Sequence, residues 1–143
     1  MKTLLKNCKH LLRTEINDIR STDIYITEDI RLIRKNGSYP AIGIKDGGID
    51  FAAQATDQDD DSLQVTIVAY VSLQRQEAMI IGTSRYKGVL EIAEEIITAL
   101  TDQHFNDQYD SALPLSQGQS EIITDGTTAI LMVPVVMQFT RLG

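Results

Sequence analysis

Residues 63–73, LQVTIVAYVSL, and 128–141, TAILMVPVVMQFTR, enclose a helical stretch at 88–103, GVLEIAEEIITALTDQ, and these three segments decide the fold. Leu63, Val65, Ile67, Ala69, Val71 and Leu73 alternate along the first segment, the period of a strand with one buried face. The opposite face carries Gln64, Thr66, Val68, Tyr70 and Ser72 and is only half polar. Val68 and Tyr70 are therefore candidate contacts for a neighbouring subunit. Val89, Leu90, Ala93, Ile96, Ile97 and Leu100 make one helical stripe, with Glu91, Glu94 and Glu95 on the wet side. Ile130 to Phe139 reads as a long strand in which Pro134 demands an edge position or a bulge.

Working outward, Leu4, Leu5, Cys8, Leu11, Leu12, Ile16 and Ile19 recur at helical spacing and predict a helix from Thr3 to about Ile19. Lys2, Lys6, Lys9, Arg13 and Arg20 line its outer side. Such a basic amphipathic helix can rest on a membrane, but without aromatic anchors it reads as the cover of a sheet. A short strand follows at 23–27, and Tyr39-Pro40-Ala41-Ile42-Gly43-Ile44 opens another. Asp46-Gly47-Gly48 carries a hairpin signal, with Ile49 to Ala53 returning antiparallel. Gln54–Ser62 and Asn106–Gly118 read as long exposed loops, the second within a loop region at 102–125 with a strand at 121–124. Gln74–Lys87 is open between a strand and a short helix before a Thr83-Ser84 cap. These elements make an α+β fold: a mixed or antiparallel sheet with an N-terminal helix and a second helix packed on it, one domain over 1–143.

The chain of 143 residues has a hydrophobic fraction of 43% and a mean hydropathy of -0.10, values of a globular domain. Its longest apolar run, Ala129 to Met137, is interrupted by Pro134 and falls short of the roughly 20 residues of a spanning helix. The N-terminus offers leucine pairs between lysines rather than a secretory apolar core, so a cytoplasmic setting is expected. Cys8, the one cysteine, lies in the helical stripe and reads as a core thiol. Asn36-Gly37-Ser38 matches a glycosylation acceptor but reads as a turn.

Net charge is -7, divided into +3 over residues 1–48 (nine Lys/Arg, six Asp/Glu) and -10 over 49–143 (four against fourteen). An acidic chain is a poor wrapper of nucleic acid, since phosphate neutralisation dominates such binding. Polarity of this kind suits subunits that meet head to tail, although a solvated surface accounts for it as well.

The chain shows no motif that carries chemistry. Asp57, Asp59 and Asp61 occupy the first three ligand positions of an EF-hand loop, but Ser62 replaces its glycine and Val68 its bidentate glutamate. His10 and His104 join no metal-binding spacing, and the glycines form neither a dinucleotide fingerprint nor a P-loop. No Gly-x-Ser-x-Gly elbow occurs, and Glu94 and Glu95, being adjacent on a helix, point apart. No catalytic, cofactor-binding or metal-binding residue is expected, and no enzyme.

The order of these elements resembles the tail terminator, or tail-completion, family of minor tail proteins of long-tailed bacteriophages. An N-terminal helix is followed by YPAIGI, a VTIVAY strand, the GVLEIAEEIITAL helix, a variable loop and the terminal strand AILMVPVVMQF. The resemblance covers most of the chain. It implies a structural virion or prophage protein that caps the tail tube and contributes to the head–tail junction as a homo-oligomeric ring, typically hexameric. It implies tail tube or other virion proteins as partners, DNA passing without specific binding, and no membrane. The protein would stand in the host cytoplasm during assembly and then in the virion tail. On that reading Asp57, Asp59, Asp60 and Asp61 are candidate partner or lumen contacts. The alternatives are another neck or minor tail assembly protein, or a small α+β ligand-binding or catalytic domain with no recognisable site.

Overall fold

The computed structural model of the chain describes residues 1–34, 37–50, 60–73, 80–82, 87–126 and 128–142, and the side chains of Asp60 and Leu142 are outside that description. Among the described residues, two long helices and a mixed six-stranded sheet make up the α+β fold. The helices are α1 (Lys2–Glu15) and α2 (Val89–Leu100). The strands are β1 (Ile24–Ile26), β2 (Ala41–Asp50), β3 (Asp60–Ser72), β4 (Ser111–Gln117), β5 (Glu121–Asp125) and β6 (Thr128–Leu142). They are ordered β1-β2-β3-β6-β4, with β5 also on β6.

In α1, Leu4, Cys8 and Leu12 recur every four residues and are fully buried. The helix stops at Glu15, short of Ile19, because Ile16 is already extended and Asp18 turns at φ 70°. Aspartate tolerates that left-handed conformation better than most residues. Ile16 and Ile19 are nevertheless buried, reaching the core from an extended path. Val89, Ile92, Ala93, Ile96 and Leu100 form the inward stripe of α2. Each such side chain, fully buried, contributes roughly 1.5–3 kcal/mol before entropy is subtracted. α1 lies over β1 and β2, α2 lies over β3, β6 and β4, and the helices touch each other. A turn of helix holds Ile80 and Ile81, and the Thr83-Ser84 cap lies outside the described residues.

All 13 residues of β3 pair antiparallel with β6, from Asp60↔Leu142 to Ser72↔Ile130. Leu63, Val65, Ile67, Ala69 and Val71 face the helices, opposite Phe139, Met137, Val135, Val133 and Leu131. β1 runs parallel to β2 through Ile24↔Ile42 and Ile26↔Ile44. The chain between these strands must cross over, and its Ile30, Ile33 and Tyr39 pack on the side away from the helices.

Two expectations about turns are corrected. Asp46-Gly47-Gly48 does not reverse the chain: β2 continues through it to Asp50 with a bulge between Asp46 and Gly48. A bulge and a tight hairpin share the same glycine signal. Gly48 has φ 103°, and a Cβ on Gly47 would lie 2.9 Å from the Gln64 carbonyl oxygen. Ile49 and Asp50 thus belong to the outward strand, and 51–53 are outside the described residues. Likewise 102–125 is not a loop, since β4 occupies seven residues of it, cutting into the expected Asn106–Gly118 loop. The strand expected at 121–124 is β5.

β4 and β5 lie end to end along the same side of β6 and both run antiparallel to it, from Ser111↔Thr140 to Asp125↔Thr128. Between them Gly118, Gln119 and Ser120 pass Val133 and Pro134, which have no partner on that side. Pro134 turns its carbonyl towards this gap, where it accepts the Gly118 N–H at 2.8 Å. Its nitrogen faces the same way, so a proline within a central strand removes no bond from the β3 ladder. The Pro134 requirement for an edge is met locally rather than by the whole strand.

Candidate assembly surface

The side of the sheet away from the helices divides into a covered half and an open half. Ala41, Val68, Tyr70, Ile123, Ile130 and Met132 form a second, smaller core beneath Tyr25, Ile30, Ile33 and Tyr39. Val68 is 0% and Tyr70 1% exposed, so the chain's own crossover covers the two residues proposed above for a neighbouring subunit. As an exposed interface they are corrected: they are core.

Specific polar contacts fasten this cover. The Tyr70 hydroxyl donates to the Ile30 carbonyl oxygen, and the Arg34 guanidinium stands 3.7 Å over the Tyr25 ring. Arg34 Nη2 and Arg20 Nε each donate to Asp23 at 2.9 Å, joined by the Ser38 N–H at 3.3 Å. Arg31 pairs with Glu121 at 2.9 Å, tying the cover to β5. Asp23 is 3% exposed, and burial alone would raise its pKa. The hydrogen bonds from Arg20, Arg34 and Ser38 outweigh that and hold its carboxyl below the usual carboxylate range. Burial pushes the Tyr25, Tyr39 and Tyr70 hydroxyls up. The groups are arranged to hold a segment in place.

The open half carries Lys45, Gln64, Thr66, Val136 and Gln138, all partly exposed, on adjacent strands. It continues to the free edge formed by β4 and β5, where Leu113 and Leu115 are each about half exposed, at 50% and 49%; Ile122, 50% exposed, pairs with Leu131 and so stands on the helix side of that edge. No charged residue stands between Asp110 and Glu121. The β4 part of this edge, uncharged and with exposed leucines, is a template for another chain. Pro114 and the irregularity between Pro114 and Ser116 blunt it in part. Sequence periodicity missed this edge because a proline and three polar residues break the alternation of SALPLSQ; the paired leucines of 113 and 115 were the available signal.

Of the acidic candidates, Asp57 and Asp59 lie outside the described residues. Asp60 and Asp61 open β3 rather than belonging to a loop, and Asp61 lies 3.4 Å from the Arg141 guanidinium. His104 Nδ1 is 2.8 Å from the Tyr109 carbonyl oxygen and His10 is exposed on α1. Burial pushes the Cys8 thiol to about 12, so it is protonated and unreactive at neutral pH. Among the described residues no group of three or more His, Cys, Asp or Glu side chains is placed to hold a metal ion. No described helix is long and apolar enough to cross a membrane.

On the helix side, a shallow groove of about 550 Å³ runs between the end of α1 and the outer face of α2. Glu15, Glu91, Glu94 and Glu95 line it. Lys87 sits beside it, 2.8 Å from Glu95 and 3.8 Å from Asp18.

Compared with known proteins, the chain matches no family model and no curated sequence.

Proposed function

We propose that this protein is a structural subunit of a bacteriophage tail, which caps the tail tube and contributes to the head–tail junction as a ring. The carrying observation is the half-covered sheet. Its own crossover seals Val68 and Tyr70, while the neighbouring half and the β4–β5 edge stay open with Leu113, Leu115 and Ile122 at the surface. The open β4 edge, uncharged along Ser111–Gln117, suits docking to another protein far better than holding a small molecule, which calls for a concave, enclosed site. The element order that resembles tail terminators supplies the identity of that protein: the tail tube. Buried, hydrogen-bonded tyrosines and a buried thiol support a scaffold role.

The test is to add the tagged protein to purified tail tubes from the same virion and image them by electron microscopy. Label confined to one end of the tube, in a ring, is the expected result. Infectious virions that contain none of this chain would overturn the reading. Leu113→Asp with Leu115→Asp should leave the fold intact and abolish labelling of the tube end.

A further inference from the structure

We infer that α1 and the acidic groove are the two halves of a head-to-tail contact between copies of this chain. This rests on the proposed ring only in needing self-association, and it names the surface by which neighbours meet.

Lys2 and Lys6 are exposed, Lys9 is half-buried, and the three stand on one face of α1 at intervals of four and three residues. None has an ion-pair partner among the described residues. Neither Glu15 nor Glu94 has an ion-pair partner among the described residues, although both line the groove. Among the described residues, one ammonium, that of Lys87, stands beside the four carboxylates of the groove.

Helix stability does not account for these charges. The first turn of α1 holds no acidic residue, and the last turn of α2 holds no basic one. Of these charges only Glu91, in the first turn of α2, is favoured by a helix dipole, whereas Lys2, in the first turn of α1, opposes one. The two patches therefore carry opposite charge, largely unpaired among the described residues and complementary between copies.

Their placement admits a head-to-tail contact. Lys2 and Glu15 stand 13 positions apart on α1, about 20 Å at 1.5 Å per residue. Complementary patches at separate places join copies head to tail when each copy engages two neighbours, as a ring or filament requires, whereas mutual pairing within two copies stops at a two-fold dimer. A contact of exposed charges is salt-sensitive. The copies should separate as ionic strength rises.

The experiment uses two full-length variants, Lys2→Glu/Lys6→Glu and Glu15→Lys/Glu94→Lys, all at exposed positions. Wild-type protein, concentrated at low salt, should sediment as species larger than a dimer and shift to monomer in 0.5 M NaCl, where the Debye length falls to roughly 4 Å. Each variant alone should be monomeric, and an equimolar mixture should regain the larger species. Circular dichroism should show both folded, the first no less stable than wild type.

Wild-type assembly that both variants retain would overturn this contact and leave the ring standing. Wild-type protein that stays monomeric would also overturn it, while the tube-labelling result still decides the ring. A mixture that stops at a dimer would replace head-to-tail with a two-fold contact. Variants that keep self-association but lose the tube would assign the lysines to the tube and overturn the inference.

Discussion

On the helix side of the sheet, α1 and α2 lay regular apolar stripes over the inward residues of β2, β3 and β6; on the other side, an irregular crossover does the covering with Ile30, Ile33 and Tyr39, beside Tyr25 of β1, and a few hydrogen bonds. The first side owes its stability to area removed from water and to close packing, terms that are large and non-directional. The second buries fewer residues and depends on where particular donors stand. Cys8, Phe139 and Ile67 need only be apolar and the right size, whereas Tyr70, Asp23 and Arg34 must each meet a named partner. A face covered by packing tolerates conservative exchange. A face covered by a fastened segment fails at its fasteners.

The largest effect should come from the packed side. Phe139 is fully buried and stacks within 5.8 Å of Phe105 and 5.6 Å of Tyr109. Phe139→Ala should cost about 3–5 kcal/mol in urea unfolding, because the cavity is enclosed by elements that cannot collapse into it. A loss under 1 kcal/mol would show that the helix side is not the stronger half.

Asp23→Asn comes next, at about 1.5–3 kcal/mol, since it removes charge-assisted bonds from Arg20 and Arg34 while the partly buried Arg34 guanidinium remains. This pair also fixes a pH dependence. The folded carboxyl titrates below its unfolded value of about 3.9, so its contribution is fully present above that pH. As pH falls through the folded value, the contribution is lost. Stability of the wild type should therefore drop more steeply below about pH 4 than that of the Asn variant, read by thermal melts over pH 2–6. Parallel curves would deny Asp23 this role.

Tyr70→Phe should cost about 0.5–1.5 kcal/mol, the range of one hydrogen bond, while keeping the ring's packing. Hydrogen exchange should separate the two sides: faster at 27–34 in this variant and unchanged in α2. Equal acceleration in both would mean that the faces unfold as one unit. The smallest effect belongs to Asp61→Asn, below about 1 kcal/mol, because its bond to Arg141 is long and partly exposed.

The two sides differed equally in legibility. Leu4, Cys8 and Leu12, the stripe of α2 and the alternation of Leu63 to Val71 all report the face they bury, because each element's period is fixed by its own backbone. The crossover at 27–40 has no period, so Ile30, Ile33 and Tyr39 gave no sign of what they cover. Val68 and Tyr70 consequently looked exposed. β4 was hidden by Pro114, and Asp46-Gly47-Gly48 read as a hairpin because a bulge uses the same residues.

By itself, then, the sequence determined the two helices, the long strands and the α+β class, along with an uneven charge spread over the chain. Those follow from local dihedral preference and hydrophobic period, which act over a few residues. Tertiary structure alone decided that β1 joins β2 in parallel, that β4 and β5 share one side of β6, and that the gap between them accommodates Pro134. It alone decided which half of the outer face is sealed and which stays open. Those outcomes depend on pairing between segments far apart in the chain, where the free energy lies in the fit of two surfaces and neither segment carries it alone.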